Sequence, residues 1–251
     1  MRTASLVVAA IVAALPSCSA PGVSVQAGYA RLQLDGDIGY AQGGGVAFAQ
    51  DIESAFGLGD AQGTPYGRAA LDLGTPVFAV SGFLFEDEGT GQLQANFGDI
   101  SASTPVRSTF DMGNVKGSFA LEIPIGPVSI SPGIAIDYFD LDITVQDTFG
   151  ALREEVSVAG PVPMAFVRAE ASLWMFGLLA EVGYMEVNDI DGVDASLLDI
   201  EALVEIRPTA LVHVFAGYRA MDLSIDGTID DEDFDADVTL SGFVIGGGLR
   251  F

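Results

Sequence analysis

Apolar and polar residues alternate along most of the chain. In the segment 165–174, one set of alternate positions carries Ala, Val, Ala, Ala and Leu, while the other carries Phe, Arg, Glu, Ser and Trp. The segments 128–138 and 200–207 alternate in the same way. A period of two is typical of a β-strand with one apolar face. The pattern predicts an all-β protein, but it does not tell which face of the sheet points inward.

The connections between these segments alternate between short and long. The short turns are 74–76, 125–127, 175–177 and 208–210. The long polar segments are 36–65, 86–113, 139–162, 188–199 and 222–241. Ten strands result, with starts near residues 23, 66, 77, 114, 128, 163, 178, 200, 211 and 242. Because outer-membrane barrels combine short periplasmic turns with long outer loops, the sequence predicts a ten-stranded antiparallel transmembrane up-and-down β-barrel over 21–251. Its outer loops are predicted to be long and acidic, and both termini periplasmic.

The first twenty residues are predicted to be a cleaved signal peptide, 1–20. Arg2 precedes an apolar run from Ala4 to Leu15, and small residues follow it. As a helix this run rises about 18 Å, too little to cross a hydrocarbon core of ~30 Å. Two cleavage sites stay open. One lies after Ala20, and the other lies before Cys18, where the preceding residues resemble a lipobox and Cys18 would be lipidated.

The C-terminal segment carries an independent signal. Phe243, Ile245, Gly247, Leu249 and Phe251 share one face of the last predicted strand. This resembles the terminal signature that the barrel assembly machinery recognises in bacterial outer-membrane barrels. The chain therefore resembles the small outer-membrane β-barrel proteins of the OmpA/OmpW type, with ten strands as in the omptin proteases. The resemblance implies the outer membrane of a Gram-negative bacterium, with lipid and lipopolysaccharide as surroundings and a monomeric barrel. A soluble lipocalin-like barrel is the structural alternative.

Charge and composition exclude several classes of function. The chain has 35 Asp and Glu against 10 Lys and Arg, a net charge of −25. Nucleic-acid binding is excluded because phosphate contacts need a basic face. A single cysteine excludes both a disulfide framework and a cysteine zinc cluster. No cofactor is predicted.

Charged residues on the predicted inward faces are nearly balanced in sign. Buried charges are costly unless they are paired, so we expect a structural ion-pair network that fills the lumen. Its expected members are Arg68, Asp72, Lys116, Glu122, Asp137, Arg168, Glu170, Glu181, Glu201, Glu205, Arg207, His213, Arg219 and Arg250. A three-residue turn in the hairpin around 208–210 is expected to set Glu205 opposite His213 and Asp199 opposite Arg219. A narrow ion or solute pore is the alternative use of the same lumen.

The single histidine is the main candidate for a catalytic base. Barrel hydrolases that act at the outer rim need an activated nucleophile or water beside a base. His213 follows the turn at 208–210 and is therefore predicted near the periplasmic end, on the same face as Glu201 and Glu205. The omptin catalytic pattern is not matched. We expect a packed lumen histidine and no enzyme, with a membrane-embedded hydrolase of lipid or peptide as the further alternative.

The predicted outer loops are acidic, and the predicted strand ends carry aromatic residues. The segment 222–237 holds eight acidic residues and no Lys or Arg. We expect a solvated acidic surface, or one that contacts lipopolysaccharide through divalent cations, which favour oxygen ligands. An interfacial aromatic girdle is expected from Tyr29, Tyr66, Tyr138, Tyr184 and Tyr218. The alternation places Val204 and Ala169 toward lipid. Leu203 and Ser172 are placed in the lumen, where a polar substitution is expected to be mild.

Overall fold

The structure is a computed structural model that describes residues 21–190, 192–229 and 232–251. The predicted leader, 1–20, and Cys18 within it lie outside the described residues. Within these residues, ten long strands and two short ones follow each other. They are β1 (Gly22–Ala41), β2 (Gln50–Asp51), β3 (Gln62–Asp72), β4 (Pro76–Gln92), β5 (Pro105–Leu121), β6 (Ile123–Ile125), β7 (Val128–Asp147), β8 (Arg153–Leu173), β9 (Phe176–Ile190), β10 (Val193–Ile206), β11 (Val212–Ile229) and β12 (Glu232–Arg250). A one-turn π-helix spans Ile52–Phe56.

The ten long strands form a closed antiparallel barrel. Each pairs with the next long strand, and β12 pairs with β1 from Ser24–Arg250 to Ala41–Asp233. Starting at Gly28 on β1, paired residues can be followed around the barrel through β3, β4, β5 and β7, and this path reaches β8 at Gly160. The opposite path, through β12, β11, β10 and β9, reaches β8 at Ser172, twelve residues from Gly160. Such a stagger tilts the strands and closes the sheet. The predicted ten-stranded barrel is confirmed.

The strands are longer than predicted, and the connections at one end are correspondingly shorter. β7 runs to Asp147 and β8 begins at Arg153, within the predicted loop 139–162. The long connections that remain are 42–61 and 93–104. The predicted loop lengths are wrong because acidic residues in these segments still alternate with buried ones. On β7, exposed Asp140 is followed by buried Leu141.

The outward face changes from apolar to acidic along the strands. On β7, exposed Ile134, Ile136 and Tyr138 are followed by Asp140 and Asp142. The apolar part, here called the apolar belt, includes Val25, Tyr29, Val80, Leu84, Val115, Ile134, Ile136, Tyr138, Val167, Leu178, Val182, Tyr184, Val204, Val214, Tyr218, Phe243 and Ile245. The acidic part, here called the acidic collar, includes Asp35, Asp37, Glu86, Glu88, Asp111, Asp140, Asp142, Glu155, Glu186, Asp222, Asp226, Asp235 and Asp237. The barrel thus has a collar end with the long connections and a turn end with the short ones.

Tyr66 does not join the predicted girdle. Tyr29, Tyr138, Tyr184 and Tyr218 are exposed on the apolar belt, whereas Tyr66 is 3% exposed inside the barrel. Tyr66 is two residues from Arg68 on β3 and therefore shares its inward face. The prediction for Tyr66 is wrong because it followed position along the strand and ignored this parity.

The described residues contain no helix that is both long and apolar enough to cross a membrane.

Candidate functional site

A compact cluster of opposite charges crosses the middle of the lumen. It joins four cations, Arg68, Lys116, Arg168 and Arg219, to four carboxylates, Asp137, Glu181, Asp199 and Glu201, all of them buried. These side chains come from seven strands and point inward because each lies on the inward parity of its strand. Equal numbers of opposite charges reduce the cost of holding them away from water. This cluster is called the central network below.

Glu181 and Glu201 are the carboxylates around which one half of the central network is arranged. Arg68 donates from both Nη1 and Nη2 to Glu181, and its Nη1 lies 3.0 Å from Glu201 Oε2. Tyr66 donates its hydroxyl to the other oxygen of Glu201. Lys116 Nζ lies 3.5 Å from Glu181 and 2.8 Å from Asp199. Paired donors of this kind fix the orientation of a carboxylate as well as its charge.

Arg219 and Asn114 connect the other half. Arg219 Nη2 donates to Asp199 Oδ2 at 3.2 Å and to Asn114 Oδ1 at 3.0 Å. The Asn114 amide donates in turn to Asp137 at 2.5 Å. The guanidinium carbon of Arg219 lies 4.9 Å from the centroid of the Phe83 ring, within the range of a cation–π contact. Arg219 is thereby held by a carboxylate, an amide and an aromatic face.

His213 lies below the central network, toward the turn end. Its imidazole is within 3.0 Å of the Gln26 amide nitrogen, which also donates to Glu205 at 2.7 Å. Gly248 provides the room for the ring, since a Cβ there would lie 2.6 Å from two imidazole atoms. His213 is 3% exposed. The structure therefore places it in a packed, hydrogen-bonded setting.

Five of the predicted lumen charges are not fully buried. Asp72, Glu122 and Glu170 are half-buried around a cavity of about 570 Å³ that opens at the turn end, and exposed Arg250 lines the same cavity. Arg207 is half-buried and donates to Glu205 at 2.8 Å. These residues lie too near the strand ends to be shielded from solvent.

The predicted register of the β10–β11 hairpin is wrong by two residues. Glu205 pairs with Phe215 rather than with His213, and Arg219 pairs with Glu201 rather than with Asp199. The turn extends over 207–211, where Thr209 Oγ1 accepts from the Val212 amide at 3.0 Å. A shift of two keeps every side chain on its face, so Arg219 still reaches Asp199 diagonally.

An apolar layer, which the sequence analysis missed, fills the lumen between the central network and the collar end. Its buried side chains include Leu32, Leu34, Phe85, Phe110, Met112, Leu141, Ile143, Leu197, Met221 and Leu240. Phe110, Met112, Leu141, Ile143, Leu197 and Leu240 come from strand segments predicted as outer loops, and the other four lie within four residues of such a segment. Their alternation with acidic residues was the signal that could have revealed them.

The two long connections fold into the mouth at the collar end. Ile52, Phe56 and Leu58 from 42–61 and Phe97 and Ile100 from 93–104 are each at most 2% exposed. The rings of Phe56 and Phe97 pack edge to face with centroids 5.4 Å apart. These two connections are called the plug below.

Buried polar side chains fix the plug to the barrel wall. Asp87 is 1% exposed and accepts from the Gly59 amide at 2.7 Å and from Gln62 at 2.8 Å. Glu154 accepts from the Asp99 amide at 2.9 Å. Within the plug, Gln50 accepts from the backbone amides of residues 94 and 95. Because these acceptors are buried, releasing the plug would leave them without their donors.

No group of three or more His, Cys, Asp or Glu side chains within the described ranges is arranged to hold a metal ion.

Comparisons with known proteins address the fold. Scans of protein-family models and of curated protein sequences found no match. Among solved structures, the outer membrane protease OmpT from Escherichia coli is similar with a TM-score of 0.57 and 10% sequence identity, over 92% of this chain and 96% of that chain. The chain has the fold of a small outer-membrane β-barrel. Two further matches have lower TM-scores. The attachment invasion locus protein Ail of Yersinia pestis has a TM-score of 0.38 and 13% identity, over 93% of this chain and 100% of that chain. The translocator domain of the autotransporter NalP from Neisseria meningitidis has a TM-score of 0.38 and 14% identity, over 94% and 90%.

Proposed function

We propose that this chain is a sealed outer-membrane barrel with a structural or surface-interaction role rather than a channel. The observation that carries the proposal is the double filling of the lumen. The central network crosses its middle, and the apolar layer with the plug closes the collar end. An ion on this path would have to displace paired charges and then enter an apolar layer, and both steps are costly.

The outward face supports the placement of the barrel in the membrane. The apolar belt offers exposed aliphatic and aromatic side chains to lipid, as a barrel wall in a bilayer requires. The acidic collar would stand above the membrane surface, facing lipopolysaccharide, with the turn end in the periplasm. Both chain ends then lie in the periplasm, because β1 begins and β12 ends at the turn end. Phe251, 67% exposed, is proposed as the contact for the barrel assembly machinery.

We propose no catalytic role. A hydrolase acting from the outer rim needs a base there, whereas His213 is buried near the turn end. Cleavage of peptide or lipid by the purified protein that is lost on His213→Ala, with the barrel still folded, would favour the hydrolase instead.

Conductance in planar bilayers tests the sealed lumen. The wild-type barrel is expected to show no steady channels. A variant in which a short linker replaces 42–61 should also stay closed, because the central network remains. A conducting path should open in that variant only when Arg68→Ala and Lys116→Ala are combined with a short linker in place of 93–104 and with Phe85→Ala and Phe110→Ala in the apolar layer. Heat-modifiable migration and β-type circular dichroism establish that each variant is folded, and exposed Arg153→Ala serves as the charge control. Steady single-channel currents from the wild type would favour the narrow pore and overturn the proposal.

A further inference from the structure

The wall of the barrel has a groove where β3 and β4 separate, while the first residues of β3, 62–65, stay paired with β1. Pairing between β3 and β4 stops at Tyr66–Phe83, although β4 continues to Gln92. Pro65 then follows on β3, and it has no amide hydrogen with which to continue the ladder. The outward face therefore has a gap between residues 62–65 of β3 and the middle of β4. Two adjoining cavities fill this place and share Pro65, Leu84, Gly113 and Asp140. Together they are called the wall groove.

The half of the wall groove nearer the apolar belt is apolar. It has a volume of about 560 Å³, and Gly67, Gly82, Leu84, Val115 and Tyr138 are among the residues that line it. The glycines lower its floor. At Gly67 a Cβ would meet no atom within 4 Å, so the space above this residue is open. An alkyl chain lying along the barrel wall would fit such a channel by apolar contact alone.

The half nearer the acidic collar is strongly acidic. It has a volume of about 790 Å³ and is lined by Glu86, Glu88, Asp111, Asp140 and Asp142. Glu86, Asp111 and Asp142 lie side by side on β4, β5 and β7. None of the five is within ion-pair distance of a Lys or Arg among the residues that the structure describes. Partial burial and the neighbouring Glu86 raise the pKa of the Asp111 carboxyl, as expected where carboxylates repel one another.

We propose that the wall groove binds a single-chain amphiphile whose head group carries a positive charge, with its alkyl chain in the apolar half and the head group among the five carboxylates. The lining of the wall groove changes from apolar to acidic along its length, and this favours a ligand with an apolar chain and a polar head group. Charge complementarity selects the sign, because an anionic head group would meet five carboxylates without a cation between them. The inference rests on the membrane placement proposed above and is independent of whether the lumen conducts.

The test measures binding of a single-chain cationic probe to the refolded full-length barrel. The barrel is held in non-ionic dodecyl maltoside micelles and titrated with dodecyltrimethylammonium, while the amide shifts of Gly67, Gly82 and Gly113 report on the groove. A saturable response is expected for this probe. Neither dodecyl phosphate, which has the opposite head-group charge, nor tetramethylammonium, which has no chain, should give one.

Matched variants assign the binding to the two halves of the groove. Glu86→Gln with Asp142→Asn should weaken the cationic probe about tenfold, since two partly exposed charge contacts are lost. Asp35→Asn with Asp37→Asn, on another part of the collar, should leave its affinity unchanged. Gly67→Phe fills the apolar half and should abolish saturation. Gly117→Phe is its control, because Gly117 also faces open space but does not line the groove.

Three results would overturn the inference. They are equal binding of the anionic and cationic probes, equal weakening by the two pairs of acid-to-amide changes, and retained binding in Gly67→Phe. A barrel that conducts but binds the probe as described would refute only the sealed lumen. A barrel that is closed but gives no saturable binding would refute only the groove.

Discussion

Removal of the Arg219 side-chain charge tests the central network most directly. In Arg219→Met, the buried Asp199 loses a partner at 3.2 Å and Asn114 loses a donor at 3.0 Å. Breaking a buried ion pair from one side costs about 3–5 kcal/mol. Asp199 keeps Lys116 at 2.8 Å, so we expect the lower end of that range, about 3 kcal/mol, or roughly a hundredfold in the unfolding equilibrium.

Urea unfolding in detergent micelles, followed by circular dichroism and by heat-modifiable migration, measures this loss. The control is Arg153→Met. Arg153 pairs with Glu155 at 3.0 Å, but the two side chains are 55% and 57% exposed, and such a pair contributes about 0–1 kcal/mol. Combining Arg219→Met with Asp199→Asn should cost less than the sum of the two single changes, because each removes the same contact. Equal losses for Arg219→Met and Arg153→Met would refute the view that the network stabilises the barrel.

The remaining predictions concern the two faces of the wall and the collar. Val204→Arg, on the apolar belt, should lower the free energy of unfolding by about 2–4 kcal/mol if the residue lies near the membrane midplane. Leu203→Asn, at a lumen position that is 1% exposed, should lower it by at least about 2 kcal/mol. Urea unfolding measures both losses, and a small loss for Leu203→Asn would contradict the burial of Leu203. Partial burial and neighbouring carboxylates raise the pKa of Asp235, so ionisation destabilises the folded collar at neutral pH. Lowering the pH toward an ordinary carboxyl pKa of about 3.9 should therefore slow amide exchange in the β11–β12 hairpin, after correction for the intrinsic rate. Asp235→Asn should remove this pH dependence. A wild-type exchange rate that follows the intrinsic rate alone would contradict the destabilising effect of Asp235 ionisation. Asp226→Asn with Asp237→Asn should weaken the calcium dependence of insertion into bilayers that contain lipopolysaccharide, whereas a response identical to that of the wild type would leave the collar as a solvated surface only.

The strand count and the facing of most side chains were accessible from sequence because a period of two depends only on local order. Leu203 and Val204 illustrate this, since each lies on the face that its parity predicted. At Leu203, which is 1% exposed, the structure leads us to expect a larger loss from a polar substitution than the sequence alone predicted, because the side chain is fully buried.

The plug was not accessible from sequence. Phe56 and Phe97 lie in segments without a regular period, and they become buried only because two connections distant in the sequence meet inside the barrel. The register of β10 and β11 depended on the conformation of a turn, which a local pattern does not determine. Tyr66 is a different case. Its parity with Arg68 was visible, and it would have placed its hydroxyl near the central network.

The seam between β1 and β12 determines when the barrel can be completed. Eighteen residue pairs join the first long strand to the last, from Ser24–Arg250 to Ala41–Asp233. A growing chain emerges with β1 first, so this edge waits for its partner until the final nineteen-residue strand, Glu232–Arg250, has been made. Until then β1 presents unpaired amides and carbonyls, which invite pairing with other chains. We therefore expect biogenesis to need a factor that shields the first edge or supplies the last strand to it, and a chain shortened within β12 to accumulate as aggregates rather than as smaller barrels.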